Sequence, residues 1–339
     1  MDGASPLLTR VVAHSYGGID MHITTVAQNK TVTHARTATQ AGTGAAARTP
    51  RPVPHAPTAS FAHRDLDRDV LITGWTRRDE MAFSVDINWA RDHCFFAPAP
   101  GSVHHHMLIA QTIRQVTLSL AHAAFEIPTS DKFLMNELTY AVDPHHPTTL
   151  TDPVRVEAEY SWEGRRCMRV KLALRQRGAT FATSDNLFSW VPPRVYGRMR
   201  GDYLTALPGD SAEPVAAPLV GRIADNEVLL APGGRPHRWQ LRWGTGHMAL
   251  IDHAVDHVPG LVLLEAAHQA AYAFAGAPHF NPTGQAMYAS RYVEFDAPCW
   301  IEAHALPARA GIPAAVEVIG LQRDSMAFRC VVEGFTIRD

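Results

Sequence analysis

Glu265, His268, Gln269 and Tyr272 recur at i, i+3, i+4 and i+7, the spacing of one stripe on a helix. Their surroundings, LVLLEAAHQAAYAF, are otherwise apolar. A carboxylate in such a setting costs several kcal/mol (roughly) to bury unless it is paired or protonated. A perturbed carboxylate beside an imidazole suits general acid/base chemistry. The plainer alternative is a polar network between two buried helices, with Arg114 neutralising Glu265. A related stripe, Gln111, Arg114, Gln115 and His122, lies in an earlier apolar run, and Gln111 and Glu265 are 154 residues apart. Pro259-Gly260 opens the second run, and a helix starting there presents backbone N–H groups that can hold an oxyanion.

Two histidine groups invite a metal reading. His104, His105 and His106 are adjacent and point in different directions, and His253 and His257 fall before the Pro-Gly helix start. Zinc needs three or four converging ligands, so we expect no metal site. Arg165, Arg166, Arg194, Arg198 and Arg200 are the basic groups available to a phosphate-bearing substrate. There is no Walker lysine loop, dinucleotide glycine fingerprint or GxSxG elbow, and we expect no cofactor.

The elements that must position these residues come as two similar sets. The first reads as a helix near 104–124 followed by strands near 133–142, 154–162, 169–175 and 179–190. The second reads as a helix over 259–275, closed by Gly276, and strands near 287–295, 300–306, 314–321 and 326–335. Leu174-Arg-Gln176-Arg177 and Leu321-Gln322-Arg323 keep their order at offsets of 146 to 147, which indicates a duplicated domain. One helix wrapped by an antiparallel sheet is the hotdog arrangement. The expected fold is therefore α+β, a tandem (double) hotdog: a flexible tail at 1–60, a first hotdog domain at 61–195, a linker at 196–218 and a second at 219–339.

The 339 residues are 46% hydrophobic and 19% charged, with a net charge of −2, which gives no general drive toward nucleic acid or an anionic membrane. Cys94, Cys167, Cys299 and Cys330 are too sparse for a disulfide scaffold. No run approaches the roughly 20 apolar residues that span a bilayer, and no secretory signal opens the chain. We expect a cytoplasmic protein with no nucleic-acid or membrane partner.

The stretch Asp252-His-Ala-Val-Asp256-His257-Val-Pro-Gly-Leu-Val-Leu-Leu-Glu265-Ala-Ala-His268-Gln269 resembles the second-repeat signature of the A-factor biosynthesis hotdog family. Arg91-Asp-His93-Cys-Phe-Phe and Ala110-Gln111-Thr-Ile-Arg114-Gln115 resemble its first-repeat signature, and the likeness spans about residues 60–339. The resemblance implies an acyltransferase/condensing enzyme of γ-butyrolactone, butenolide or furan autoregulator synthesis. It would move a β-ketoacyl group from acyl carrier protein to dihydroxyacetone phosphate. Glu265 is then the base or orienting carboxylate, His268 a proton carrier and Arg114 a partner for substrate charge. Gly260, Gln111, Gln269 and His257 are expected to bind substrate.

The chain departs from the family pattern at three positions. Gln111 stands where Glu is expected, His268 where Arg is expected, and His105 where Asp is expected. Glutamine cannot act as a base, whereas a histidine at 268 introduces a group that ordinarily titrates near neutrality, giving an expected pH dependence over about 5.5–7.5. The rival readings are a hotdog thioesterase or dehydratase acting on acyl thioesters, and a non-enzymatic acyl- or lactone-binding protein.

Overall fold

The computed structural model describes residues 59–89, 106–146, 152–207, 209, 211–243, 250–251, 253–276, 280–307 and 314–336. Residues 1–58 of the expected tail, together with Arg91, His93, Cys94, His104, His105 and Asp252, lie outside them. The elements are β1 (Ile72–Arg77), β2 (Ala82–Ile87), α1 (His106–Phe125), β3 (Lys132–Val142), β4 (Val154–Gly164), β5 (Cys167–Gln176), β6 (Ala179–Val191), α2 (Pro193–Arg200), β7 (Leu230–Pro232), β8 (Arg238–Leu241), α3 (Gly260–Ala275), β9 (Phe280–Ala289), β10 (Cys299–Ala305), β11 (Ala314–Gln322) and β12 (Ser325–Thr336).

All the strands join one antiparallel sheet in the order β1-β2-β4-β5-β6-β3-β9-β12-β11-β10-β8-β7. Outward from the β3–β9 seam, the two halves repeat the same order of strands, each strand of the second half coming six after its counterpart in the first. The seam pairs Glu137 with Tyr288 and Ala141 with Gly284, so neither inner edge is left open. The β5–β6 hairpin turns through Arg177 (φ 48°) and Gly178 (φ 82°), and the β11–β12 hairpin through Arg323 (φ 51°) and Asp324 (φ 57°). Two successive left-handed residues match the strand twist in two-residue loops, and the device recurs in both halves. The chain thus has the expected α+β double-hotdog fold.

Both long helices are buried because their apolar residues fall on nearly every side. Met107, Ile113 and Leu120 of α1 and Leu264 of α3 are essentially inaccessible, each worth roughly 1.5–3 kcal/mol of burial. The left-handed Gly276 (φ 62°) caps α3. No helix among the described residues is long and apolar enough to cross a membrane. Cys167, Cys299 and Cys330 are free thiols.

Two expectations need correction. The strand expected at 287–295 runs instead over Phe280–Ala289. The apolar residues beyond it, Val293 and Phe295, are buried, but outside the sheet. There the Val293 carbonyl accepts a hydrogen bond from Val258 N (2.9 Å), so the segment braces the entry to α3. The segment expected as a linker carries most of α2, with Tyr196 and Arg200 buried.

Candidate active site

The duplication brings corresponding residues of α1 and α3 to two quasi-equivalent places. Gln115 and Gln269 show the relation most clearly. Gln115 accepts from Leu71 N (2.7 Å) and donates to Asp69 O (2.7 Å). Gln269 accepts from Leu229 N (2.8 Å) and donates to Glu227 O (2.8 Å). Each glutamine clamps the loop that enters the first strands of its half. Gln269, expected to bind substrate, is occupied by this clamp. At the same 154-residue offset, Glu265 answers Gln111, His268 answers Arg114 and Gly260 answers His106. Each clamped loop also carries an arginine ahead of its short 3-10 helix, Arg64 in one half and Arg222 in the other.

One place is a closed polar cluster. Glu265 is fully buried, and its Oε1 accepts from Arg222 Nε (2.8 Å), from Arg222 Nη2 and from Gln269 Nε2 (2.6 Å). Its Oε2 lies 2.9 Å from Nε2 of His106, the first residue of α1. The rings of His106 and His268 stack with centroids 3.4 Å apart, and Arg222 Nη2 lies 3.5 Å from His268 Nδ1. Burial, with the Arg222 charge behind it, holds His106 well below the usual imidazole range. Burial also holds His268 well below it, His106 adding to the effect. Both shifts favour the neutral rings and run against the expected titration of His268 over about pH 5.5–7.5. The Glu265 charge is met by Arg222 rather than Arg114.

Ligand atoms of His106, Glu265 and His268 lie within 4.8 Å of one another. The Arg222 guanidinium, however, already occupies this carboxylate, placing positive charge where a divalent cation would need negative charge.

The other place opens into a cavity of about 750 Å³ lined by Arg64, Arg114, Gly260 and His257, but not by Glu265 or His268. Arg114 is anchored through Nη1 to Ala62 O (3.0 Å) and Nη2 to His63 O (3.4 Å). The Gln111 amide is 1% exposed, and both of its polar atoms lack a hydrogen-bond partner among the described residues. Gly260 starts α3, and the first helical bond is made by Val262 N to Pro259 O (2.9 Å). The amides of Gly260 and Leu261 thus lie ahead of that bond at the cavity wall. A side chain at Gly260 would meet Met135 Cε at 2.8 Å, so glycine allows Met135 to pack against the helix start.

His257 Nδ1 lies 2.8 Å from Asp256 Oδ1. Asp256 also accepts from Tyr196 Oη (2.8 Å to each oxygen) and from Arg200 Nε (2.8 Å). Arg200 in turn forks onto Glu294 with two 2.7 Å bonds. Burial raises the affinity of Asp256 for a proton, but the bonds from His257, Arg200 and Tyr196 outweigh it and hold the carboxyl well below its usual range. Arg200, considered for a substrate phosphate, is therefore buried and committed to two carboxylates.

Arg222 and the Asp256–Arg200–Glu294 network were not anticipated. A signal for Arg222 existed: Arg64-Asp-Leu-Asp-Arg-Asp-Val-Leu and Arg222-Ile-Ala-Asp-Asn-Glu-Val-Leu repeat the same loop. Nothing in the sequence spacing links Arg200 to Asp256 or Glu294.

The chain is similar to known proteins along most of its length. The profile of the A-factor biosynthesis hotdog domain matches residues 45–192 and 205–293. The 2-oxo-3-(phosphooxy)propyl 3-oxoalkanoate synthase of Streptomyces virginiae is 38% identical over 284 residues, covering 80% of this chain and 95% of that protein. The synthase of the same name from Streptomyces coelicolor is 35% identical, covering 84% and 91%. Among solved structures, the 12:0-ACP thioesterase of Umbellularia californica superposes with a TM-score of 0.50 at 14% identity, covering 76% of this chain and 94% of that one. With a family profile matched over both halves and relatives at this identity along most of their length, the chain belongs to the A-factor biosynthesis hotdog family.

Proposed function

We propose that the protein transfers a β-ketoacyl group from an acyl carrier protein thioester to the hydroxyl of dihydroxyacetone phosphate, a step toward an autoregulator of the butyrolactone, butenolide or furan type. The product named for the Streptomyces relatives is the ester of a 3-oxo acid with that alcohol. The observation that carries the reading is the cavity of about 750 Å³, which combines the amide-bearing start of α3 with two arginines, Arg64 and Arg114. Its size falls in the range of small-molecule sites. The helix start suits the developing oxyanion of a thioester under attack, and the arginines suit a phosphate.

In this reading Gly260 contributes an oxyanion donor, and Arg114 meets substrate charge. Gln111, whose amide lacks a partner among the described residues, does not line the cavity. Glu265 serves as the orienting carboxylate, fixing Arg222, His106 and Gln269 where the two helices meet. His268 packs on His106, the two rings stacked.

Incubating the purified chain with a β-ketoacyl-carrier thioester and dihydroxyacetone phosphate tests the proposal by mass spectrometry. A phosphorylated 3-oxo ester supports it. Free 3-oxo acid shows a thioesterase, enoyl product shows a dehydratase, and binding without turnover shows a ligand-binding protein.

A further inference from the structure

We propose that His257 is the catalytic residue that takes the proton of the acceptor hydroxyl, and that Asp256, held by Arg200 and Tyr196, is its positioning residue. This inference rests on the acyl-transfer reading and names the base that the reading requires.

His257 lies three residues ahead of Gly260, and both line the same cavity. The proton acceptor and the oxyanion donors therefore share one short segment, whose entry is pinned by the Val258 N to Val293 O bond (2.9 Å). The orientation follows. With Nδ1–H donating to Asp256 Oδ1 at 2.8 Å, the lone pair is left on Nε2, the tautomer that a general base needs. Asp256 cannot swing away, because Tyr196 and Arg200 hold its oxygens and Glu294 holds Arg200. Tyr292 fixes the ring from its flank, with centroids 4.6 Å apart. The charged and titratable groups that face His257 are thus Asp256, Tyr196 and Arg200 from α2 and its own loop, and Tyr292 and Glu294 from the segment after β9.

The other candidate bases are less suited. Glu265 has both oxygens engaged and does not line the cavity. His63 lines it, but its Nε2 lies 2.8 Å from His122 Nε2. Glu137 is paired with Arg169 at 3.4 Å.

In the step itself, the acceptor oxygen adds to the thioester carbonyl as its proton passes to His257 Nε2. The oxyanion forms against the start of α3. Collapse breaks the C–S bond, and the imidazolium returns the proton to the leaving thiolate. Atoms and charge balance without a further reactant.

The test uses the full chain with a β-ketoacyl-carrier thioester and dihydroxyacetone phosphate. His257→Gln should lower kcat by roughly 10²–10⁴-fold with little change in KM or Tm. Asp256→Asn should lower kcat and alter the pH profile. His253→Gln, on the same cavity wall, is the control and should stay near wild type. A His257→Gln enzyme within about threefold of wild type overturns the proposal. ¹⁵N-histidine NMR gives a readout independent of turnover: the His257 signal, identified by its loss in His257→Gln, should show an Nδ1–H tautomer, and an Nε2–H tautomer overturns the proposal. If the wild-type chain only hydrolyses the thioester, acyl transfer fails as the function, while the same variants still decide whether His257 is the base.

Discussion

Glu265→Gln separates a structural carboxylate from a catalytic one. The side chain is fully buried, while Arg222 and His106, its charged and neutral partners, are 9% and 8% exposed. Glutamine preserves shape and one acceptor, so Arg222 keeps a hydrogen bond but loses the negative charge that balances it. Removing one partner of a buried ion pair costs about 3–5 kcal/mol. For a domain of this size each kcal/mol moves Tm by about 2–4 °C, so Tm should fall by roughly 6–20 °C. His106 must also change tautomer to face an amide N–H, which adds in the same direction. The double variant Glu265→Gln/Arg222→Met removes both charges and should recover at least about 2 kcal/mol of the loss in a double-mutant cycle. Thermal melts and urea titrations followed by circular dichroism measure this. If Glu265→Gln melts within about 2 °C of wild type and shows no coupling to Arg222, the charge-compensating role is wrong. A large loss of turnover on that unaltered fold would then return Glu265 to the chemistry.

Other expectations follow from the same geometry. Burial holds His63 (down to about 3), His106 and His268 below their unfolded value near 6.5. The protein should therefore lose stability as pH falls through that value, readable from urea midpoints at about pH 7.5 and 5.5. His268→Arg restores the residue expected from the family pattern, but sets a second guanidinium beside Arg222, which lies 3.5 Å from His268 Nδ1; it should destabilise by about 3 kcal/mol or more in thermal melts. Gln111→Met removes two unpartnered polar atoms from a buried position and should stabilise the protein by about 1–3 kcal/mol. If that variant also loses ester formation, the amide contacts substrate.

Much of the architecture was legible because it rests on local patterns. The apolar runs over α1 and α3, the alternation in β4, β5, β6, β10, β11 and β12, and the repeated Gln-Arg turns each act within a dozen residues. The flanking strands β1, β2, β7 and β8 escaped because they have only three to six residues each and take their conformation from pairing with neighbours. The misplaced β9 has a related cause: Val293 and Phe295 carry a strand-like pattern, yet they are buried against the α3 entry rather than in the sheet.

The site was legible as a set of residue types but not as an arrangement. Helical spacing grouped Glu265, His268 and Gln269 correctly, since that grouping depends only on the helix. It did not show that Arg222, from a loop 43 residues away, neutralises Glu265, or that His106 completes the pair across the two helices. Nor did it show that the cavity lies at the other end of the quasi-symmetric relation, with Gly260, His257 and Arg114. These facts depend on how the two repeats face each other, and no single-segment periodicity encodes that.

In the proposed reaction the cavity joins an acyl chain to a phosphorylated alcohol. Supplying ¹³C-labelled dihydroxyacetone phosphate with a β-ketoacyl-carrier thioester and following the label by mass spectrometry tests it most directly. The label should appear in a phosphorylated 3-oxo ester, at a rate that depends on both substrates. Release of 3-oxo acid with all of the label left in unreacted dihydroxyacetone phosphate would contradict it.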